Sequence, residues 1–294
     1  MPELPEVETV MRGLEKAMAG HRIACVELRR KDLRFPFPEG FAERLTGQRI
    51  EAFRRRAKYI LADLEGGDCL LIHLGMSGRF AVVAGGRVRN LGAFYFEEGA
   101  AAEAQGAHDH VVFTLDDGTR IIYTDPRRFG LMDVFPRSEA ASHRLLEEIG
   151  VEPLGNDFHA AYLAEVFAGK KAPLKAALLD QRLIAGLGNI YVCEALYRAG
   201  LAPRRKAGTL VRRGKPDPRL EELARHIKAV LNEAIVAGGS TLRDFSHTDG
   251  SNGGFQERFS VYDRAGEACP RCQMPIRRIV QSGRSTFYCP SCQK

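Results

Sequence analysis

Residues 269–292 read CPRCQMPIRRIVQSGRSTFYCPSC. Two Cys-x2-Cys pairs, Cys269/Cys272 and Cys289/Cys292, stand sixteen residues apart. Each pair suits a tight turn that aims two sulfurs at one point. A hairpin joining two such turns closes a tetrahedral four-thiolate zinc site. No coordination position is left open, so the metal, a single Zn2+, is structural. A segment of about forty residues cannot bury a sufficient core alone, and metal binding supplies the missing folding energy. A redox dithiol is the rival reading, and two pairs at ribbon spacing speak against it. Arg277, Arg278 and Arg284 lie between the pairs, on a hairpin that the metal would hold rigid, which suits a phosphate clamp.

The other three of the seven cysteines, Cys25, Cys69 and Cys193, stand alone and read as small core residues. A disulfide framework belongs to small secreted chains, and this chain has 294 residues, enough for two domains and a small third piece. Hydrophobic residues make up 45%, yet no apolar run approaches the ~18 residues of a membrane helix. The acidic N-terminus lacks the layout of a secretory signal, so a cytoplasmic location is expected. Net charge is +6 and the positive charge is clustered. Residues 54–58 read RRRAK, residues 204–215 read RRKAGTLVRRGK, and the last forty residues carry six arginines and one lysine against Glu257, Asp263 and Glu267. A polyanion touching several parts of the surface would explain this distribution, and so would three solvated faces.

Upstream of the ribbon the period changes twice. SEAASHRLLEEIG, FHAAYLAEVFAG, APLKAALLD, NIYVCEALYRAG and PRLEELARHIKAVLNEAIVAGG, all beyond residue 137, show helical spacing. In the last, Asp217 caps, Pro218 starts and Gly238-Gly239 stops the helix. Residues 200–217 read as a connecting loop. Residues 238–254, with five glycines, are predicted to be mobile. Over 22–135 short β-rich runs recur, among them YILADL, CLLIHL, HVVFTL and RIIYT, with turn signals between them and one short helix near 39–46. They predict a mostly antiparallel sandwich or barrel. Residues 84–107, rich in Gly and Ala without a period, predict a long surface loop. Residues 5–19 predict a helix with Val7, Val10, Met11, Leu14 and Met18 on one stripe, Pro5 at its first position and Gly20 as its stop.

Several loops could carry chemistry. AGLGN at 185–189 opens a helix with Asn189 as N-cap, and Lys170, Lys171 and Lys175 precede it. Free N–H groups there suit a phosphate, although a plain capped helix has the same signature. LGMSG at 74–78 and TDPRRFG at 124–130 fall between strands. Met76 and Phe129 at exposed tips, with Arg127 between, could wedge into a base stack and read base edges; ordinary turns are the alternative. Lys58 ends a basic run or stands as a positioned cation. The chain opens MPELPEVETV. Removal of Met1 would leave Pro2 with a secondary amine of pKa near ~8, neutral often enough to attack an aldehydic carbon. Glu3 could act as general acid or base. Glu6, in the first helical turn, would orient the terminus. A helix start with acids in its first turn is the simpler reading of the stretch alone.

MPELPEVET, RRAKY at 55–59, HLGMSG at 73–78, YTDPRRFG at 123–130, AGLGNIY at 185–191 and the terminal TFYCPSCQK strongly resemble the bacterial formamidopyrimidine-DNA glycosylases, from residue 2 to residue 294. The resemblance implies an α+β multidomain fold: an N-terminal catalytic β-sandwich over 1–135, a helix–two-turn–helix module over 136–250 and a zinc-finger β-hairpin over 251–294. It implies a bifunctional enzyme of base excision repair that removes 8-oxoguanine and formamidopyrimidines from damaged double-stranded DNA and then nicks the strand. By motif, Pro2 would attack C1′, Glu3 would assist sugar-ring opening, Lys58 β-elimination and Arg284 δ-elimination. Met76, Arg127 and Phe129 would fill the gap left by the everted base. His108, Lys170 and Asn189 would contact DNA, and 238–254 would be a lid. No obligatory protein partner or membrane is implied, and a monomer is expected. Two segments, 84–107 and 203–217, look longer than the family's usual connections. The rivals are a sister endonuclease VIII acting on oxidised pyrimidines, a non-catalytic zinc-ribbon DNA-binding protein, and a proline-based tautomerase, which leaves the ribbon unexplained.

Overall fold

Glu3 and Glu6 cap the first helix reciprocally, so α1 (Leu4–Met18) begins one residue earlier than Pro5 predicts. Proline is tolerated at the second position too, because that N–H also lacks a partner within the helix. The predicted stripe is buried, with Val10 and Leu14 fully enclosed. The computed structural model describes residues 2–92, 106–212, 214–240 and 254–294. They form two compact units: Met1–Glu147 with Ala237–Gly254, and Glu148–Val236 with Phe255–Lys294.

In the first unit the β-rich runs become β1 (Ile23–Leu28), β2 (Ile50–Arg56), β3 (Tyr59–Leu64), β4 (Asp68–His73), β5 (Arg79–Ala84), β6 (Arg87–Leu91), β7 (Asp109–Leu115), β8 (Arg120–Thr124) and β9 (Leu131–Pro136), with α2 (Phe41–Leu45) between the first two. They pair antiparallel in two sheets, ordered β2-β3-β4-β9 and β1-β7-β8-β5-β6. Ile60 and Ile72 of one sheet, Phe80, Val111 and Phe113 of the other and the α1 stripe share a single core. This is a β-sandwich with a helix against it.

Three expectations are corrected here. The loop predicted over 84–107 begins as a strand: β6 turns back on β5 through Gly85 and Gly86, at φ 54° and 73°. The glycines are the tight turn of a hairpin, which needs positive φ at both central positions. Residues 93–105 lie outside the described residues. Cys25 is exposed, because a bulge between Ile23 and Cys25 breaks the alternation of β1. No α-helix forms over 138–150; a 3-10 turn at Arg137–Glu139 and further turns replace it. The His143 ring is drawn onto Phe135, 4.0 Å between centroids, and this packing overrides the helical pattern.

The second unit holds α3 (Ala160–Phe167), α4 (Leu174–Leu179), α5 (Asn189–Arg198), a small hairpin of β10 (Val211–Arg212) and β11 (Lys215–Pro216), α6 (Arg219–Val236), and the ribbon strands β12 (Arg277–Gln281) and β13 (Arg284–Tyr288). The connector expected over 200–217 therefore contains that hairpin and a 3-10 turn at Ala207–Leu210. Two turns join α4 to α5, and Gln181 threads them. Its amide nitrogen donates to the Leu179 and Leu187 carbonyls at 3.1 and 2.9 Å, and its oxygen accepts from Gly186 N at 2.9 Å. Buried Glu194 of α5 accepts three backbone N–H groups, from Ser260, Val261 and Tyr262, each at 2.9 Å. Cys193 and Tyr197 of α5 pack with Ile276, Phe287 and Cys289, so the ribbon is seated on that helix. No helix among the described residues is long and apolar enough to cross a membrane.

Candidate active site and nucleic-acid surface

In the first unit, Pro2 is buried at the head of α1, and Glu3 and Glu6 are 4% and 1% exposed. Glu6 Oε2 accepts the Glu3 N–H at 2.9 Å. Glu6 Oε1 accepts from the Ser240 N–H at 2.8 Å and from its hydroxyl at 3.0 Å. One carboxylate thus fixes the backbone just after Pro2 and binds it to the residue that precedes 241–253. Gly239, at φ 88°, lets this happen: a Cβ there would lie 3.1 Å from Glu6 Oε1. The mobility and lid expected of 238–254 rest mainly on 241–253, outside the described residues.

Lys58, 7% exposed, occupies the two-residue turn between β2 and β3. Ala57 beside it takes φ 51°, a conformation that costs an L residue about 1 kcal/mol. The strain is held from α1. Arg55 Nε donates to Glu8 Oε2 and Arg55 Nη1 to the Ala57 carbonyl, both at 2.9 Å. The helix that presents Pro2 thereby also fixes the turn that presents Lys58. His73 faces the same cluster. Burial, reinforced by the Lys58 and Arg34 cations and opposed by Asp125, pushes its pKa down to about 4. Neutral at working pH, its Nδ1 accepts the Gly75 N–H at 3.1 Å.

The loops at 74–78 and 124–130 are one construction around Asp125, which is fully buried. Its carboxylate accepts from the Ser77 hydroxyl, from Tyr123 OH at 3.3 Å and from Gly130 N at 2.8 Å. Ser77 Oγ in turn accepts from Arg127 N at 3.1 Å. The loop backbones touch: a Cβ on Gly75 would fall 2.3 Å from Gly130 N. The two loops carrying Met76, Arg127 and Phe129 are thereby brought together, with the Arg127 guanidinium over the Phe129 ring at 4.9 Å. Phe129 is 45% exposed, while Met76 is half-buried rather than at an open tip. His108 is exposed, and its carbonyl accepts Asp125 N at 3.0 Å.

In the second unit, Gly188 and not Asn189 caps α5; Asn189 is its first residue. The Asn189 side chain donates to the Ser285 carbonyl at 2.9 Å, and its Oδ1 is buried with no hydrogen-bond partner among the described residues. Lys175, grouped with Lys170 and Lys171 in support of a phosphate site, is 1% exposed and donates to the same carbonyl at 2.9 Å and to Thr286 Oγ1 at 2.7 Å. Burial of an ammonium requires such partners. Lys170 is half-buried beside exposed Lys171. Arg284 is exposed directly after the Ser282-Gly283 turn, whose residues take φ 48° and 73°.

The four cysteine sulfurs lie within 4.8 Å of one another, Cys269–Cys292 at 3.9 Å and Cys272–Cys289 at 3.5 Å. Sulfurs about 2.3 Å from a central zinc in a tetrahedron are about 3.8 Å apart, so the set fits one zinc ion. All four positions are protein ligands, and the metal's contribution is to folding.

Sequence reasoning missed Asp125, Ser77 and Ser240, and it gave Lys175 a phosphate role where the structure gives it a buried structural one. Asp125 and Ser77 stood inside the quoted motifs. The partners of Ser240 and Lys175 carried no local signal, since they lie 234 and 110 residues away.

Comparison with known proteins covers the whole chain. Residues 1–132 match the formamidopyrimidine-DNA glycosylase N-terminal domain, 149–246 the H2TH domain of the same enzymes, and 266–294 the zinc finger found in FPG and IleRS. A formamidopyrimidine-DNA glycosylase of Methylobacterium sp. is 59% identical over 297 residues, covering 100% of this chain and 99% of the relative. The Lactococcus lactis Fpg, solved in complex with DNA containing an abasic site, is 32% identical with a TM-score of 0.85 and full coverage of both chains. MutM in complex with DNA containing carbocyclic 8-oxo-G is 32% identical, with a TM-score of 0.83 and full coverage of both chains.

Proposed function

The chain belongs to the formamidopyrimidine-DNA glycosylase family, and from that premise we propose a residue-level account of its chemistry. It is a DNA glycosylase of base excision repair, with the AP lyase activity of that family. Its substrates are 8-oxoguanine and formamidopyrimidines in duplex DNA. The pieces 1–135, 136–250 and 251–294 divide the work into chemistry, helical DNA contact and a zinc-held clamp. The protein works as a cytoplasmic monomer without an obligatory protein partner.

The Pro2 nitrogen, freed of Met1, attacks C1′ of the everted nucleotide. The C1′–N9 bond breaks and its electron pair leaves with the base, which takes up a proton. Glu3 assists opening of the sugar ring, giving an iminium between Pro2 and C1′. Loss of a C2′ proton then expels the 3′ phosphate, assisted by Lys58. A second elimination, assisted by Arg284, expels the 5′ phosphate. Met76, Arg127 and Phe129 occupy the vacated stack, and His108, Lys170 and Asn189 contact the DNA. Eversion is required because C1′ is shielded within the duplex.

The observation that carries this account is the buried head of α1, where Glu6 pins the backbone after Pro2 on one side and Ser240 on the other. Borohydride trapping on duplex DNA with one 8-oxoguanine tests it. The native chain should give a covalent complex. Pro2→Gly, or a one-residue N-terminal extension, should sharply reduce strand cleavage and trapping while duplex binding survives. Full trapping by the extended form would overturn Pro2 as nucleophile. Preferential release of thymine glycol over 8-oxoguanine would move the substrate to oxidised pyrimidines.

A further inference from the structure

Phe129 and Phe35, 45% and 40% exposed, are the two exposed phenylalanines among the described residues. An aromatic ring left in water marks a contact surface when cations gather round it. Phe129 has Arg127 over its ring. Phe35 has two: the Arg34 guanidinium carbon lies 5.4 Å and that of Arg144 5.5 Å from its centroid. Phe35 is also held in place. It sits in a tight return in which Asp32 bridges Pro36, Leu33 N donates to the Phe35 carbonyl at 3.0 Å, and Phe37 N to the Lys31 carbonyl at 3.2 Å. The two aromatic tips are adjacent, because Arg34 N donates to the Gly130 carbonyl at 3.0 Å, one residue past Phe129. Both cations reach into the candidate site: Arg34 and Arg144 each act on Tyr59, which begins the strand after Lys58.

Among the described residues Arg34 has no ion pair, and Arg144 makes only a long one, 3.6 Å to Asp133, with its side chain 63% exposed. Asp32 is taken by Arg30. Two guanidiniums converging on one ring form a site for an anion. Apolar ring edge beside paired cations suits a phosphodiester backbone, phosphate on arginine and deoxyribose on the ring.

We propose that Arg34, Phe35 and Arg144 form a DNA-backbone contact beside the Arg127–Phe129 tip, taking phosphates of the duplex that flanks the lesion. This rests on the DNA glycosylase reading above.

The test is the salt dependence of binding to a duplex carrying a tetrahydrofuran abasic analogue, followed by fluorescence anisotropy on the full chain. Removing one arginine–phosphate pair should reduce the slope of log affinity against log salt by about 0.9. Arg34→Gln and Arg144→Gln should each show that reduction and weaken binding about fivefold. Arg34→Lys should restore the slope, because it restores the charge. Phe35→Leu should weaken binding while keeping both charges. Arg22→Gln, which removes a cation already paired with Glu65, controls for net charge and should leave the slope unchanged. Slopes equal to the native value in both glutamine variants would overturn the proposal. So would an equal reduction in the Arg22 control, which would make the effect one of net charge. If the native chain itself neither prefers the abasic duplex nor traps with borohydride, the failure belongs to the glycosylase reading instead.

Discussion

Glu6 accepts three donors with two oxygens, and only the carboxylate can do so fully. Glu6→Gln replaces one acceptor oxygen by an NH2 group facing a donor, at a cost of about 2 kcal/mol. Urea denaturation should show the loss, and borohydride trapping should fall with it. Asp125 presents the same case in the paired loops. Asp125→Ala strands Ser77, Tyr123 and Gly130 donors in the interior and should cost about 3 kcal/mol by the same measurement. His73 gives a pH signature. Its folded pKa, about 4, lies below the ordinary 6.5, so the unfolded chain binds more protons between those values. Stability from this group is complete above about pH 6.5 and is lost as pH falls toward 4. His110 and His226 are shifted in the same direction by burial, so the quantity to measure is the difference in unfolding free energy between native protein and His73→Gln across pH 4–7. That difference should be independent of pH if His73 is solvated. Pro2, Glu3, Lys58, Arg127 and Phe129 stand out as candidates in the sequence because they lie in distinctive short stretches. The contacts that hold them do not, since a hydrogen bond between residues 6 and 240 leaves no trace in local pattern.

At the scale of elements, periodicity and turn chemistry were dependable where burial was one-sided. α1 and α6 fall nearly where their stripes place them, and the ribbon follows from its cysteines. The misses have a common cause. Over 84–92 and 138–150 the pattern is short, and its outcome depends on a neighbouring element: α1 for β6, which packs Leu91 over Gly13, and β9 for the turn carrying His143. The ribbon gives a direct test. A strong chelator should remove one zinc per chain, and the loss of metal should abolish the folding of residues 266–294, seen as loss of exchange protection in β12 and β13. Lys175→Met should leave the zinc in place yet lower stability by about 2 kcal/mol, because the Ser285 carbonyl and the Thr286 hydroxyl lose a charged donor.

For the whole molecule, charge and connectivity matter most. A net charge of +6, gathered in separate basic stretches, implies that affinity for undamaged duplex DNA falls linearly on a log–log plot against salt. The same charge makes composition a fair guide to the class of partner and a poor one to chemistry, which the proposed mechanism places on a few residues at the head of α1 and in the loops. Connectivity has another effect. Ala237–Gly254 belongs with the strand-rich unit, although the polypeptide on both sides of it belongs with the helical one. The backbone therefore changes allegiance three times between its ends, and no single incision can divide it into two self-sufficient halves. An amino-terminal fragment ending at Glu147 would carry Pro2, the proposed nucleophile, but leave behind Ser240, and with it two of the three hydrogen bonds that Glu6 accepts there.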